Sequence, residues 1–389
     1  MAHPPIWVTL ITGFLGSGKT TLLNSLLKSP DLSGAMVIVN EFGEIGIDSD
    51  LMVGSTENVV QLANGCLCCS VKSDLIDTFR DLVIQRQAGN LPKFDRVIIE
   101  TTGIADPGPV LQIILTNPMV RNAYALDGVV TTLDAVNGAT TLASFPESVR
   151  QVAIADRIVL TKSDLAKSDL AGPSEPETLD RLRAQVRALN PAAPIIEVVN
   201  GAVDAADLFG MGMLDPVTGR PDPARWLDPD AYAAAGQPTE ITASLGEGEV
   251  AAAYARQGHR AEAAGDTEND HRHNHGADIR SFCLVRETPV SLHALQLFLD
   301  AIARDSGPNL LRVKGLVNVA GEPDTPAVIQ GAQQVFHSLD WLSEWPSDDR
   351  RTRIVFITRG IEAAHVEDAF ALIERVARRT ALAAGRAVE

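Results

Sequence analysis

The sequence predicts an α/β fold: a doubly wound, mostly parallel sheet with a second, smaller α+β domain. Three observations lead there. Short apolar runs alternate with segments of helical spacing through the first half, and a glycine-rich turn joins the first run to the first such segment. An acidic stretch then separates this half from a shorter one of different pattern.

Residues 7–12, 35–40, 96–100, 128–134, 157–161 and 195–199 are apolar runs of strand length, read as strands buried on both faces. Between them, 19–28 and 73–86 have helical spacing; in the second, Leu75, Ile76, Phe79, Leu82 and Val83 share one side. Strand, helix, strand alternation makes a mostly parallel sheet, assigned to a domain over 1–210. A linker over 211–277 follows: from Asp222 to Asp278, eleven Asp or Glu stand against four Arg, with Pro, Gly and Ala between them. Within 278–389, residues 278–286, 310–319, 327–337 and 351–358 read as strands. A helix over 291–304 and a last one marked by Val366, Ala369, Phe370, Ile373 and Val376 complete a small α+β domain of open-faced type. It shows no catalytic constellation, so its expected work is packing, partner recognition or gating.

With 389 residues, 45% of them hydrophobic, the chain can bury ordinary cores in two domains. The net charge of −17 argues against a nucleic-acid partner, which needs a basic face, and suits a protein that attracts cations. Residues 7–12 are too short for a leader and no run is long enough to span a membrane, so no membrane partner and a cytoplasmic location are expected. Three of the four cysteines fall within residues 66–69, a poor disulfide framework but a suitable arrangement for metal or redox chemistry. Cys283 stands alone in an apolar run and reads as core.

Gly13-Phe14-Leu15-Gly16-Ser17-Gly18-Lys19-Thr20 matches the phosphate-binding pattern G-x-x-x-x-G-K-[ST] between an expected strand and an expected helix. Glycines let backbone N–H groups curl around phosphate oxygens. Lys19 then reaches the β- and γ-phosphates, Thr20 offers its hydroxyl to Mg²⁺, and Gly13, Gly16, Ser17, Gly18 and Thr21 complete the cradle. Val97-Ile98-Ile99-Glu100-Thr101-Thr102-Gly103 is the second phosphate element: Glu100 holds a Mg²⁺-bound water, and Gly103 brings an N–H toward the γ-phosphate. Thr161-Lys162-Ser163-Asp164 resembles the guanine motif Asn-Lys-x-Asp with Thr in its first position. Asp164 can accept from guanine N1 and N2 hydrogens and the Lys162 stem can cover the ring, which favours GTP over ATP. Asn40 to Asp48 follows the second strand, where Glu41, Glu44 and Asp48 are candidates for positioning metal or water, or form a solvated acidic loop.

Thiolates favour Zn²⁺, tetrahedral with Zn–S near ~2.3 Å, so Cys66, Cys68 and Cys69 would leave a fourth position open for exchange. In an extended strand Cys66 and Cys68 share a face and Cys69 points away, so convergence of all three requires a turn beside Gly65. Two cysteines with another residue, a homodimer whose subunits share one ion, buried core cysteines and a thiol redox switch are the alternatives. His271, His273 and His275, with His259, Glu268 and Asp270 nearby, read either as a weak collector of Zn²⁺, Ni²⁺ or Co²⁺ or as a solvated stretch.

Taken in order, Gly13 to Thr20, Asn40-Glu41-Phe42-Gly43, Gly65-Cys66-Leu67-Cys68-Cys69, Glu100-Thr101-Thr102-Gly103 and Thr161-Lys162-Ser163-Asp164 resemble the CobW family of metallochaperone GTPases over essentially the whole chain. The resemblance implies a GTPase with Mg²⁺ and a Cys-x-Cys-Cys metal site, a linker often rich in histidine, and a smaller C-terminal domain. It implies delivery of zinc, cobalt or iron to a client metalloprotein. Cys66, Cys68 and Cys69 become the thiolates, and Glu41 a further ligand or coupling residue; Thr161 is the departure. A metal buffer, or an activator of one enzyme of cobalamin-pathway or nitrile-hydratase type, are the competing readings. The motifs hold no catalytic glutamine or arginine finger, so turnover is expected to be slow without metal or partner.

Overall fold

The computed structural model describes residues 4–32, 34–39, 59–61, 70–166, 175–212, 222, 226–234, 279–333, 335–336 and 339–383. Among the described residues, seven strands form the first sheet: β1 (Ile6–Gly13), β2 (Ala35–Val39), β3 (Val59–Gln61), β4 (Arg96–Glu100), β5 (Tyr124–Asp134), β6 (Arg157–Thr161) and β7 (Ile195–Val198). Their order is β3-β2-β4-β1-β5-β6-β7, and every neighbouring pair is parallel. β1 lies at the centre between β4 and β5, so its carboxyl end opens where the connections diverge to either side. That is where ligands bind in open α/β sheets.

The side-chain period of two supplies both faces of this sheet. Val8, Leu10, Met36, Ile38, Val97 and Ile99 enter one core with Leu75, Phe79 and Leu82 of helix α2 (Ser70–Ala88). Ile11, Val37, Val39, Ile98, Val130 and Val159 enter the other with Leu22, Leu23 and Leu26 of α1 (Lys19–Leu26). A parallel strand covered on both sides has no polar face to show water, so its sequence is a continuous apolar run. β5 begins earlier than expected, at Tyr124, and the three-residue edge strand β3 was too short to stand out. Helices at Gly108–Thr116, Pro146–Ala153 and Glu175–Leu189 also escaped the sequence reading. In the second of these, buried Ser148 and Gln151 interrupt the apolar pattern.

The second sheet is antiparallel, ordered β11-β10-β9-β13-β8, with β12 on β10. Its strands are β8 (Ile279–Arg286), β9 (Leu310–Val317), β10 (Ala327–Ala332), β11 (Val335–Phe336), β12 (Asp340–Trp341) and β13 (Thr352–Arg359). The single strand expected over 327–337 is a hairpin instead, turned by Gln333 in the left-handed region at φ 55. One face packs under the helices Leu292–Ser306 and Ala363–Ala383 through Phe298, Phe356 and Phe370. The other face is not open: Ile279, Leu311, Ala332 and Ile357 join the core of the first sheet. Trp226 and Leu227, inside the segment read as linker, are buried with Leu316, Val328 and Val355.

Charge fixes the same interface. Asp156, just before β6, pairs with Arg312 at 2.9 Å and with Lys314, both from β9, and accepts the Val129 N–H at 2.8 Å. Burial alone would raise the Asp156 carboxyl, yet Arg312, Lys314 and these hydrogen bonds hold it below the usual carboxylate range. A carboxyl lowered in the folded state contributes stability that is complete above its unfolded value and disappears as pH falls through the folded one. Asp156→Ala, which strands two buried cations, is expected to cost about 3–5 kcal/mol in urea unfolding. The gap in thermal midpoint between the native chain and Asp156→Asn should be widest at neutral pH and narrow as pH drops below about 4.

Candidate functional site

At the carboxyl end of β1 the chain turns through Gly13 to Gly18 into α1, and side chains from neighbouring strands hold that turn. Gly13 has φ 142, and a Cβ there would lie 2.3 Å from Thr132 Oγ1 and 2.4 Å from its carbonyl oxygen, so only glycine fits. Ser17 and Thr132 hydroxyls share a hydrogen bond at 2.6 Å. The Lys19 ammonium, buried, donates to the Gly13 and Phe14 carbonyls at 2.9 and 3.1 Å. It stands at the loop with its charge ready for phosphate.

Thr20 follows and donates to Glu100 Oε1 at 2.8 Å. The register places Glu100 at the end of β4 beside Ile11, so the carboxylate of one strand meets the helix that starts from the next. These are hard oxygen groups beside the first turn of α1, the donor set that suits Mg²⁺ with its waters. Beyond Glu100, Thr101 donates to Thr12 Oγ1 at 2.8 Å and its N–H to the Ile11 carbonyl at 3.0 Å. Gly103 then passes so close to the first loop that a Cβ would meet Leu15 N at 2.6 Å and Cα at 2.7 Å.

The third element also reaches the phosphate loop. Thr161 Oγ1 donates to the Ser17 carbonyl at 2.7 Å, so the hydroxyl that replaces an amide in the guanine pattern braces the loop. Lys162, in the left-handed region at φ 57, donates to the Gly16 carbonyl at 2.9 Å and to Asp134 Oδ2 at 2.8 Å. Asp164 is exposed in the short helix Ser163–Ala166, and Thr21 is exposed on α1. Asp134, the last residue of β5, was not singled out in the sequence, although a carboxylate ending an apolar run was the available signal. Burial would raise its carboxyl, but hydrogen bonds from Lys162, Asn137 and the Val136 N–H, with the Lys162 charge, lower it. It is therefore ionised at neutral pH and holds Lys162 across the strand ends.

Gly13, Gly16, Ser17, Gly18, Lys19, Thr20, Glu100, Gly103, Thr161 and Lys162 thus converge on one edge of the sheet. Glu41, Glu44, Asp48, Cys66, Cys68, Cys69, His259, Glu268, Asp270, His271, His273 and His275 lie outside the described residues. Among the described residues no group of three His, Cys, Asp or Glu is arranged for a metal ion. Cys283 is half-buried on β8, where burial pushes its thiol up to about 11 against the pull of Arg353, so it is no thiolate at neutral pH. No helix among the described residues is long and apolar enough to cross a membrane.

The CobW/HypB/UreG nucleotide-binding domain matches residues 7–197, and the cobalamin synthesis protein CobW C-terminal domain matches residues 279–373. Zinc chaperone YjiA of Escherichia coli (strain K12) is 31% identical over 369 residues, covering 94% of this chain and 98% of its own length. Zinc chaperone CobW of Pseudomonas aeruginosa is 38% identical over 228 residues, 52% of this chain and 59% of its own. The crystal structure of zinc-bound YjiA GTPase from E. coli superposes with a TM-score of 0.61 at 26% identity, covering 95% of this chain and 99% of that one.

The geometry separates bracing from base reading at Thr161. Thr161→Val keeps the volume and removes one buried hydrogen bond, about 1 kcal/mol, so titration calorimetry should show nucleoside triphosphate affinity falling about five-fold. The ratio between guanine and adenine forms should stay unchanged.

Proposed function

The chain belongs to the CobW family of P-loop GTPases, and from that premise we propose that it couples GTP hydrolysis to delivery of a transition metal, zinc before cobalt or iron, to a client metalloprotein. The observation that carries this reading is a shared edge. Gln61 ends β3 and Ser70 opens α2, both at the sheet edge where Gly13 to Thr20 turn. In the sequence only residues 62–69 separate Gln61 from Ser70, and Cys66, Cys68 and Cys69 belong to that stretch. Asn40 to Asp48 leave the same edge from Val39.

In this reading Lys19 binds the β- and γ-phosphates, and Thr20 and Glu100 are the residues that would hold Mg²⁺ with its waters. Lys162 and Asp164 take the guanine. Mg²⁺ supplies charge neutralisation on the transferring phosphoryl group; the side chains supply position. With no glutamine or arginine finger in the motifs, turnover is slow until metal or client is present. Cys66, Cys68 and Cys69 hold the cargo ion as thiolates, with Glu41 as a further ligand or coupling residue, and an open position lets the ion pass to the client. His271, His273 and His275 gather the ion on the connecting segment. The chain divides into a nucleotide unit over 1–210, that segment over 211–277 and a second unit over 278–389. It works in the cytoplasm, without nucleic acid, and a homodimer sharing one ion is a compatible assembly.

GTP should close the thiolate site and hydrolysis should loosen it. In competition with a zinc chelator, affinity is expected to be about 5–150-fold higher with a non-hydrolysable GTP analogue than with GDP, the usual span of such coupling. Equal affinity in the two states would sink the coupling. Cys66→Ala with Cys68→Ala should abolish the tight site and, with both proteins metal-free, leave GTP binding within about two-fold; loss of GTP binding by the metal-free variant would instead mark the cysteines as structural.

A further inference from the structure

Gln151 lies on the helix Pro146–Ala153, far in sequence from every motif, and is fully buried at 0% exposure. Its side-chain amide donates to two backbone oxygens of the loop after Glu100: the Gly103 carbonyl at 3.2 Å and the Ala105 carbonyl at 3.1 Å. Both N–H groups of Nε2 are thereby spent on one short segment. Among the described residues the Oε1 of the same amide finds no donor. An unsatisfied buried oxygen is destabilising, and an apolar side chain of this size would avoid it. The amide is therefore explained by what its two N–H groups hold. The Gln151 backbone carbonyl also accepts from Thr131 Oγ1 at 2.7 Å, which ties the helix to β5.

The rest of the loop is fixed to match. The Ala105 N–H donates to the Thr102 carbonyl at 3.1 Å, closing a turn over 102–105. Gly103 is pressed on Leu15 of the phosphate loop, and beyond it Asp106 accepts the Gly108 N–H at 2.9 Å. The Gly103 N–H shares its peptide plane with the Thr102 carbonyl, which the Ala105 N–H holds, and the next plane is held through the Gly103 carbonyl by Gln151, so with both planes fixed the direction of the Gly103 N–H is set.

We propose that Gln151 is a positioning residue for γ-phosphate recognition: its two hydrogen bonds hold the 103–105 turn so that the Gly103 N–H meets the third phosphate. It touches no nucleotide and acts through Gly103. This rests on the reading of the chain as a GTPase and adds to it the side chain that distinguishes triphosphate from diphosphate. The turn contributes nothing to the α- and β-phosphates, so loss of Gln151 should be felt by GTP and not by GDP.

The test is Gln151→Met in the full chain, which keeps the bulk and removes both donors, with affinities for GDP and a non-hydrolysable GTP analogue measured side by side at saturating Mg²⁺. Affinity for the analogue should fall about ten-fold, as expected for two hydrogen bonds, while GDP affinity changes less than about two-fold. Single-turnover hydrolysis should slow with it. Thr131→Val, which loosens the same helix without touching the turn, should lower the thermal midpoint and leave the GTP to GDP ratio as it was. If Gln151→Met does not fold, Gln151→Leu, which is smaller and likewise brings no donor, gives the same reading. Equal loss of both nucleotides, or an unchanged ratio, overturns the role of Gln151. Failure of the unaltered chain to bind GTP would overturn the GTPase reading itself.

Discussion

A strand that ends at the edge of a parallel sheet leaves its last backbone groups without partners, and a phosphate-binding turn needs those groups held open rather than paired away. Here neighbouring strands do the holding. Thr132 of β5 crowds Gly13 and bonds Ser17, Thr161 of β6 donates to the Ser17 carbonyl, and Lys162 donates to the Gly16 carbonyl. Side-chain donors thus occupy the Ser17 and Gly16 carbonyls, while within the turn the Ser17 N–H donates to the Phe14 carbonyl at 3.1 Å. Asp134 keeps Lys162 in place from the end of β5. Remove these neighbours and the glycines alone would permit many turns, most of them useless for binding.

The same constraint explains why the loop after Glu100 is so tightly supported. It must stand against Leu15 and still respond to what occupies the phosphate loop. Its near side is held by Gln151 and its far side reaches the second sheet: Gln333 donates to Asp106 Oδ2 at 3.2 Å, and Gln112 donates to Gln333 Oε1 at 3.1 Å and to the Ala332 carbonyl at 3.3 Å. Arg121 adds a paired contact to Asp340 at 2.9 and 3.1 Å. Displacement of the 101–106 segment would therefore be felt in the β10–β11 hairpin. At the opposite edge of the sheet, the buried charges around Asp156 keep the two sheets in one register.

The amino edge has its own anchor. Asp127, buried, accepts from Thr9 and from the N–H groups of Gly210, Met211 and Gly212 at 2.8 to 3.2 Å, and pairs with Arg96. It closes the last segment of the first sheet onto β1 and β5. A carboxyl group buried this way is tolerated because each oxygen is met by several donors. The functional edge is thus left to loops, while the opposite one is locked.

Much of this was legible in the residues themselves. Continuous apolar runs mark strands covered on both faces, and Gly13 to Thr20, Glu100 to Gly103 and Thr161 to Asp164 each end such a run, so their place at one edge follows from parallel pairing alone. Short elements with no strong period, such as Val59–Gln61 and Pro146–Ala153, could not be read, because three residues or an interrupted apolar face fall below what a pattern can signal. By itself, then, the sequence determined the sheet, the phosphate turn and the chemistry its motifs can do, since these depend on local spacing and backbone conformation. Only the tertiary structure decided which side chains hold the turn. Thr132 and Ser17, Asp134 and Lys162, Gln151 and Gly103, and Gln333 and Asp106 lie 28 to 227 residues apart, and contacts across such separations arise from packing that no local pattern encodes.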